Sequence, residues 1–233
     1  MTLRLRNLSL QSPLSPHPLL HRVDLDIPRG AVTGLCGGSG AGKSLIAAAL
    51  VGRLPRGMVQ SGSIACERAG RIAMAPQSLE ALDPLASVAQ QLRRFARLCP
   101  EPAAPQALLA RVGLSDAYLA YRPHQLSGGQ ARRVLLATAL ATGADFIIAD
   151  EPTAGLDGEQ AQRIMALLGD FAARGHGVLV ISHDLPLLAG IADRVAVLRH
   201  GRLVETAAAC AFSAQGAALA EAYTRALWCA QAA

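Results

Sequence analysis

The chain has 233 residues, of which 52% are hydrophobic; this size and apolar share exclude a disordered chain and fit one large α/β domain, or one domain with a small appended subdomain. The formal net charge of +5 comes from dispersed basic residues, and 3% aromatic residues leave few platforms for stacking bases, so we expect no nucleic-acid partner. No apolar run reaches the roughly 18–20 residues of a membrane-spanning helix, and the N-terminus lacks the apolar core of a secretion signal, which favours a cytoplasmic location.

The first third of the chain predicts an antiparallel β layer followed by a buried strand. Alternating apolar residues predict strands over residues 3–10 and 23–27. Three prolines predict a loop over 12–18, because proline cannot donate a hydrogen bond to a β ladder. The continuous small, apolar run 31–36 predicts a buried parallel strand. Further elements are a helix expected over 43–53 and short strands expected over 63–66 and 71–75.

The rest of the chain predicts an inserted helical segment and then helices that alternate with strands. Residues of about 84–128 have a helical pattern interrupted by prolines, which indicates a helical subdomain. Its helices are expected over 86–98, 105–112 and 115–121. Downstream, helices are expected over 128–142, 158–173 and 185–192, and strands over 145–149, 177–182 and 195–198. This alternation predicts an α/β fold with a mostly parallel sheet covered on both faces. The alanine-rich tail of about 207–233 is expected to be helical.

A glycine-rich loop between the strand at 31–36 and the helix at 43–53 predicts a nucleotide site. The loop consists of Gly37, Gly38, Ser39, Gly40, Ala41, Gly42, Lys43 and Ser44, and it matches the pattern G-x-x-x-x-G-K-[ST]. Its glycines let successive backbone N–H groups point at phosphate oxygens, and the helix N-terminus adds a partial positive charge. We expect Lys43 to bridge the β- and γ-phosphates and the Ser44 hydroxyl to ligate Mg²⁺.

Two carboxylates follow the apolar strand predicted over 145–149. Asp150 and Glu151 stand at the carboxyl end of a parallel strand, where α/β sheets bind their ligands. Asp150 fits the role of holding Mg²⁺, directly or through water. Glu151 fits the role of polarising the water molecule that attacks the γ-phosphate.

A second glycine-rich helix start precedes the helix predicted over 128–142. It consists of Ser127, Gly128, Gly129 and Gln130, which follow Leu126. Backbone N–H groups, a hydroxyl and the helix dipole make such a helix start suitable for an anion. Alone it is a weak signal of a helix cap, but together with the phosphate loop and the two acids it is specific.

Taken in order, these motifs resemble those of the ATP-binding-cassette (ABC) ATPases. The matching segments are GGSGAGKS from Gly37, APQ at 75–77, LSGGQ from Leu126, IIADEPT from Ile147, AGLD at 154–157 and ISHD at 181–184. The resemblance covers nearly the whole chain and implies a single ABC ATPase domain over 1–233, with ATP and Mg²⁺ as ligands. The implied fold is a P-loop NTPase core with a mostly parallel sheet, an antiparallel β layer and an inserted helical subdomain.

The resemblance also implies that two ATPase domains meet head to tail. The residues that would contact the γ-phosphate of an ATP held by the partner's phosphate loop are Ser127, Gly128, Gly129 and Gln130. Asp157 would touch the opposite domain across the interface. In its own site, Gln77 would complete the Mg²⁺ shell and sense the γ-phosphate, and His183 would contact the γ-phosphate and orient Glu151. The partner would be a second copy or a paralogue.

Three features are similar to the peptide and nickel importer subfamily of these ATPases. Residues 77–84 resemble its segment ending in L-[ND]-P, residues 223–227 resemble its tail motif, and Gly38 is most like its nickel-import subunit. The resemblance implies an ATPase that powers import of nickel or a metal chelate, with a dipeptide or oligopeptide importer as the alternative. Its partners would be a second ATPase subunit, two transmembrane permease subunits and a periplasmic solute-binding protein. The chain would then lie peripherally on the cytoplasmic face of the inner membrane.

A non-transport ABC ATPase acting on DNA or the ribosome is disfavoured. The segment of about 84–128 is too short for the coiled-coil insertion of the DNA-acting relatives, and the chain has one cassette where the ribosome-acting relatives have two.

One departure from the family concerns the adenine base. Relatives place an aromatic ring ahead of the phosphate loop, whereas His17 is the only ring within residues 11–20. We therefore hypothesise weak base selectivity, with adenine resting on His17 or on aliphatic side chains.

Overall fold

The computed structural model describes residues 1–213 and 216–232 as a mixed arrangement of strands and helices. The strands are β1 (Thr2–Gln11), β2 (Leu20–Pro28), β3 (Val32–Cys36), β4 (Val59–Cys66), β5 (Ile72–Ala75), β6 (Phe146–Asp150), β7 (Gly177–Ile181), β8 (Arg194–Arg199) and β9 (Arg202–Ala208). The helices are α1 (Lys43–Leu50), α2 (Val88–Ala96), α3 (Pro105–Arg111), α4 (Gly128–Ala141), α5 (Gly158–Ala173), α6 (Leu185–Ala189) and α7 (Ala222–Gln231). Among the described residues, no helix has the length and apolar character needed to span a bilayer.

The central sheet has the strand order β5-β6-β7-β3-β8-β9, and its first five strands are parallel. Strands β3, β6 and β7 are buried along their whole length, as expected for parallel strands covered on both faces. Along β6, Ile147 packs with α4, α5 and the helical segment, while Ile148 packs with α1 and the β layer. The prediction of a mostly parallel, doubly covered sheet is therefore confirmed.

The order of the central strands brings four chain segments to one edge of the sheet. Ala75 pairs with Ala149, and Asp150 pairs with Ile181, which also pairs with Leu35 of β3. Because these strands are parallel, the segments that follow β5, β6, β7 and β3 all emerge at the carboxyl edge. That edge is where the sequence places Gln77, the two acids, His183 and the phosphate loop.

The predicted antiparallel layer consists of three strands in the order β2-β1-β4. Leu3 of β1 faces Ile27 of β2, Leu5 faces Leu25, and these side chains are buried on the same side of the layer. This face packs on α1 and on the central sheet, so it fixes the helix that follows the phosphate loop.

The helical segment between β5 and α4 contains α2, α3 and three short 3₁₀ turns. Ser87 caps α2: its hydroxyl accepts a hydrogen bond from the Gln90 N–H in a capping box, and α3 carries Pro105 at its start. Their apolar residues join the same core as α4. The segment therefore packs directly on the helix that begins at Ser127. That residues of about 84–128 form a separate helical subdomain is a proposal.

The tail differs from its prediction. The sequence predicts a helical tail from about residue 207, but Ala207 and Ala208 end strand β9, which pairs antiparallel with β8, and the final helix begins only at Ala222. His200 and Gly201 both have positive φ (46° and 73°), as in the tight two-residue turns that join antiparallel strands. Residues 214, 215 and 233 of the predicted tail lie outside the described residues.

Candidate functional site

The phosphate loop lies between β3 and α1, as predicted, and exposes its central residues Gly38, Ser39 and Gly40. The Lys43 ammonium donates to the main-chain oxygens of Gly37 (2.8 Å) and Gly38 (3.2 Å). Lys43 is the only lysine in the sequence. Its hydrogen bonds hold the charge within the curl of the loop, where a phosphate group would approach.

Two glycines of the loop have conformations or neighbours that exclude a side chain. Gly42 precedes α1 with φ 107°, and a Cβ atom there would lie 2.6 Å from Leu20 Cδ2. A Cβ atom on Gly37 would collide with the main-chain oxygen of Leu198. The loop thus reaches its position only because these residues carry no side chain.

Asp150 is a buried carboxylate with one unsatisfied oxygen. It is 4% exposed, and its Oδ1 has no hydrogen-bond partner among the described residues. Burial raises the pKa of Asp150, and a hydrogen bond with the Ser44 side chain opposes part of this rise. A cation at Oδ1 would supply the missing partner and would favour the ionised form.

The residues predicted to hold Mg²⁺ therefore fit this ion. Ser44, Asp150 and Gln77 offer oxygen atoms, which Mg²⁺ prefers, and it usually binds one or two protein carboxylates together with phosphates and waters. Within the described residues, no group of three His, Cys, Asp or Glu side chains could hold a metal. A site with a single buried carboxylate is consistent with an ion that depends on nucleotide oxygens.

Glu151 and His183 are in contact. His183 Nδ1 lies 2.9 Å from Glu151 Oε2, and the side chain of Glu151 is 12% exposed whereas that of His183 is 73% exposed. The Glu151 N–H donates to the main-chain oxygen of Ile181 at 2.8 Å. Glu151 also has a φ of 46°, in the left-handed region that non-glycine residues seldom adopt. The backbone is thus held in a costly conformation at the residue expected to act on water.

The second glycine-rich helix start forms a separate group together with Asp157. Ser127 caps α4 by accepting from the Gln130 N–H (3.3 Å), and the Gln130 side-chain oxygen accepts from the Ser127 N–H (2.9 Å). Ser127 and Gly128 remain exposed, so their polar groups are accessible to another molecule. Gly129 is buried, and a Cβ atom there would collide with the Gln160 side chain.

Asp157 caps α5 next to this helix start. Its carboxylate accepts from the Gln160 N–H at 2.8 Å, and hydrogen bonds from the Gln160 main chain and side chain lower the pKa of Asp157. The structure therefore places the residues predicted to serve the partner on two neighbouring helix N-termini. The residues predicted to serve the chain's own nucleotide lie together at the sheet edge.

Sequence reasoning missed two residues that contact the site, Arg132 and Tyr223. The guanidinium of Arg132 in α4 donates to the main-chain oxygen of Gln77 and to that of Ala154. The Tyr223 ring in α7 lies against the Arg199 guanidinium (4.4 Å from Cζ to the ring centre), and its hydroxyl lies next to Gly38. No sequence signal separates Arg132 from the neighbouring Arg133. The motif at 223–227 pointed to the tail without indicating what it touches.

The central sheet, the phosphate loop and the acids at its carboxyl edge define a P-loop nucleotide-binding domain. Residues 20–154 match the protein family described as ABC transporter. The chain belongs to this family.

Several curated relatives align with most of the chain. The oligopeptide transport ATP-binding protein OppD of Lactococcus lactis subsp. cremoris (strain SK11) is 36% identical over 216 residues, which covers 81% of this chain and 63% of the relative. The methionine import ATP-binding protein MetN of Nocardia farcinica (strain IFM 10152) is 36% identical over 212 residues, covering 82% and 62%. The macrolide export ATP-binding/permease protein MacB 2 of Aeromonas hydrophila subsp. hydrophila is 35% identical over 204 residues, covering 80% and 31%. The chain thus spans less than two thirds of the length of these relatives.

Solved structures share the fold. The "Structure of ATP binding subunit of ABC transporter" superimposes with a TM-score of 0.77 at 22% identity, covering 99% of this chain and 100% of that chain. A dimeric post-hydrolysis state of the ATP-binding cassette MJ0796, bound to ADP and Pi, superimposes with a TM-score of 0.76 at 23% identity, covering 90% and 99%. These likenesses confirm the predicted ABC ATPase fold.

Proposed function

We propose that this chain hydrolyses ATP and thereby powers an ABC importer. The observation that carries the proposal is the meeting of the phosphate loop, Asp150, Glu151 and His183 at the ends of three adjacent parallel strands. Nucleotide binding, metal binding and water activation are thus gathered at one sheet edge, as phosphoryl transfer to water requires.

Each residue of this edge has a proposed role in hydrolysis. Backbone N–H groups of residues 37–44 and the Lys43 ammonium bind the phosphates. Mg²⁺, held by Ser44, Asp150 and Gln77, would neutralise charge on the β- and γ-phosphates. Glu151 polarises the attacking water, and His183 contacts the γ-phosphate and holds Glu151 in orientation through their 2.9 Å contact.

We further propose a head-to-tail dimer, with a second copy or a paralogue as the partner. The exposed Ser127 and Gly128, together with Gly129 and Gln130, would close over the γ-phosphate bound by the partner, and Asp157 would lie at the interface. The N–H groups of Gly128 and Gly129 in the first turn of α4, together with the helix dipole, suit this anion. The cassette MJ0796 is described as dimeric, which supports the arrangement.

A groove between the central sheet and the helical segment is the proposed docking site for a transmembrane permease subunit. Its cavity is about 310 Å³ and is lined by Pro76, Phe95, Leu98 and Leu135, among others. Leu98 is 64% exposed, so apolar surface is available for a partner. The groove begins one residue from Gln77, which would let the permease sense the nucleotide site. Two permease subunits and a periplasmic solute-binding protein would complete an importer at the cytoplasmic face of the inner membrane.

Two cargoes remain candidates. The proposal that nickel or a metal chelate is the cargo rests on the likeness of the phosphate loop at Gly38 to that of the nickel-import subunit. Gly38 lies at a position that cannot contact a transported solute. Oligopeptides have the support of the 36% identity to the oligopeptide transport protein OppD. The L-[ND]-P segment at 77–84 and the motif at 223–227 belong to both candidates. Of the two, the oligopeptide importer has the broader support.

The ATPase is tested with Glu151→Gln. The purified chain should release phosphate from Mg·ATP, and the variant should bind ATP but turn over about 100-fold or more slowly, because a water-orienting group is removed. With ATP, the variant should also elute as a stable dimer. Glu67→Gln, on the β layer, is the matched control and should keep the wild-type rate. Unchanged turnover in Glu151→Gln would refute the role of this carboxylate.

The importer is tested by co-purification. Membrane proteins that co-purify with the chain would be reconstituted, and ATP hydrolysis would be measured with nickel, with metal chelates and with di- and oligopeptides. Stimulation by one class identifies the cargo, and a complex whose ATPase responds to none of them would refute both candidates.

A further inference from the structure

Arg132 is a buried cation that joins two segments of the candidate site. It lies on α4 and is 9% exposed. One terminal nitrogen donates to the Gln77 main-chain oxygen, and the other lies 3.3 Å from that of Ala154. Gln77 belongs to the segment after β5, whereas Ala154 belongs to the loop that follows Glu151. A single side chain on α4 is thus hydrogen-bonded to both of these segments.

These contacts require a guanidinium. Its two terminal nitrogens point in different directions and can each donate to a carbonyl group of a different segment, whereas the donors of a lysine ammonium share one nitrogen and reach only carbonyl groups that lie close together. Burial lowers the pKa of Arg132, and the charge of Glu151 opposes this shift. The ion pairs of the described residues do not include Arg132, so carbonyl oxygens are its direct partners. Hydrogen bonds to these two carbonyl groups offset the cost of burying the charge, so they hold the guanidinium in place.

We propose that Arg132 is a positioning residue that fixes the Gln77 segment against the loop after Glu151. The inference rests on the proposed ATPase function and adds a residue to it. Helix α4 begins at the residues proposed to contact the partner's nucleotide. Arg132 therefore ties the chain's partner-facing helix to the segments that serve its own nucleotide.

The chain supplies its own control. Arg133 follows on the same helix, is half-buried, and donates to the main-chain oxygen of Gly113 at 3.2 Å, away from these segments. Arg132→Lys and Arg132→Gln would be compared with Arg133→Lys and Arg133→Gln. The lysine variants keep the charge and the bulk of the side chain, so they fold even where a glutamine variant does not.

Hydrogen exchange gives a readout that is independent of turnover. Without nucleotide, both Arg132 variants should exchange faster than wild type in peptides covering 76–79 and 152–156, while the Arg133 variants should not. The kinetic test compares the effect of each variant on kcat with its effect on the Kd for ATP. The kcat of the Arg132 variants should fall about 10- to 100-fold, the loss expected for a displaced catalytic group, while the Kd for ATP without Mg²⁺ stays within about twofold of wild type.

The outcomes separate the two proposals. If wild type and all four variants lack ATPase activity, the proposed function fails, and hydrogen exchange alone still decides the role of Arg132. If wild type hydrolyses ATP and Arg132→Lys matches Arg133→Lys in kcat and in exchange at both segments, the inference is overturned.

Discussion

The backbone at Glu151 stores strain that can be measured by comparing two variants. A non-glycine residue at φ 46° is disfavoured by roughly 1–2 kcal/mol, whereas glycine adopts this region freely. Glu151→Ala and Glu151→Gly both remove the carboxylate and its His183 contact, so their difference reports the backbone alone. We expect Glu151→Gly to be the more stable of the two.

The size of the difference follows from two opposing terms. Relief of strain favours Glu151→Gly by roughly 1.5 kcal/mol, and the greater freedom of glycine in the unfolded chain offsets about 0.5 kcal/mol of this. The net of about 1 kcal/mol corresponds to a Tm higher by about 2–4 °C for a chain of this length. Urea unfolding without nucleotide and thermal unfolding would both report it.

Two further pairs of glycine and alanine variants serve as controls for this comparison. His200 also has a φ of 46° but is exposed in the β8–β9 turn, so His200→Gly should likewise be more stable than His200→Ala. Arg163 lies exposed in the middle of α5, where glycine should instead be about 1 kcal/mol worse than alanine. The His200 and Arg163 pairs should behave as expected in the same measurements. If Glu151→Ala is then at least as stable as Glu151→Gly, the inference of backbone strain at Glu151 is wrong.

Three other outcomes are expected. Lys43→Ala should raise the Kd for ATP about 10- to 100-fold in equilibrium titration, because charge-assisted hydrogen bonds contribute roughly 1.5–3 kcal/mol, and wild-type affinity would contradict the phosphate loop assignment. His17→Ala should reduce any preference for ATP over GTP in competition binding. A strong preference that survives the substitution would show that adenine does not depend on His17. Burial lowers the pKa of His176, so the unfolded state takes up its proton first and stability should fall as pH drops below about 6.5. His176→Asn should reduce this loss between pH 7.5 and 5.5 in urea unfolding, and an unchanged pH dependence would contradict it.

The parts of the site that a sequence can predict are those fixed by strand ends. The phosphate loop, Asp150, Glu151 and His183 each follow an apolar run, and parallel pairing carries every such run to the same edge. Strand β9 was harder to predict because it lies at the sheet edge and is half exposed, so it lacks a continuous apolar pattern. Gly201, a residue type that favours tight turns, was the available signal in the sequence.

The role of Arg132 could not be predicted for a different reason. Arg132 and Arg133 are chemically identical neighbours, and one helical step of about 100° separates the side chain that faces the site from the one that donates to Gly113. Which of them faces inward depends on how α4 packs against the segments after β5 and β6. That is a property of the assembled fold.

The lysine at the phosphate loop is one of only two amines that this sequence offers to amine-directed reagents. The other strongly basic side chains are arginines, which acylating reagents leave unmodified at neutral pH, so Lys43 and the terminal amine are the groups such reagents can reach. The ammonium lies in the curl of the loop, hydrogen-bonded to Gly37 and Gly38, so a bound nucleotide would cover it and slow its labelling. Measuring the mass of the peptide that contains Lys43 after brief acylation would thus record the fraction of loops occupied by nucleotide, without a fluorophore or an engineered cysteine.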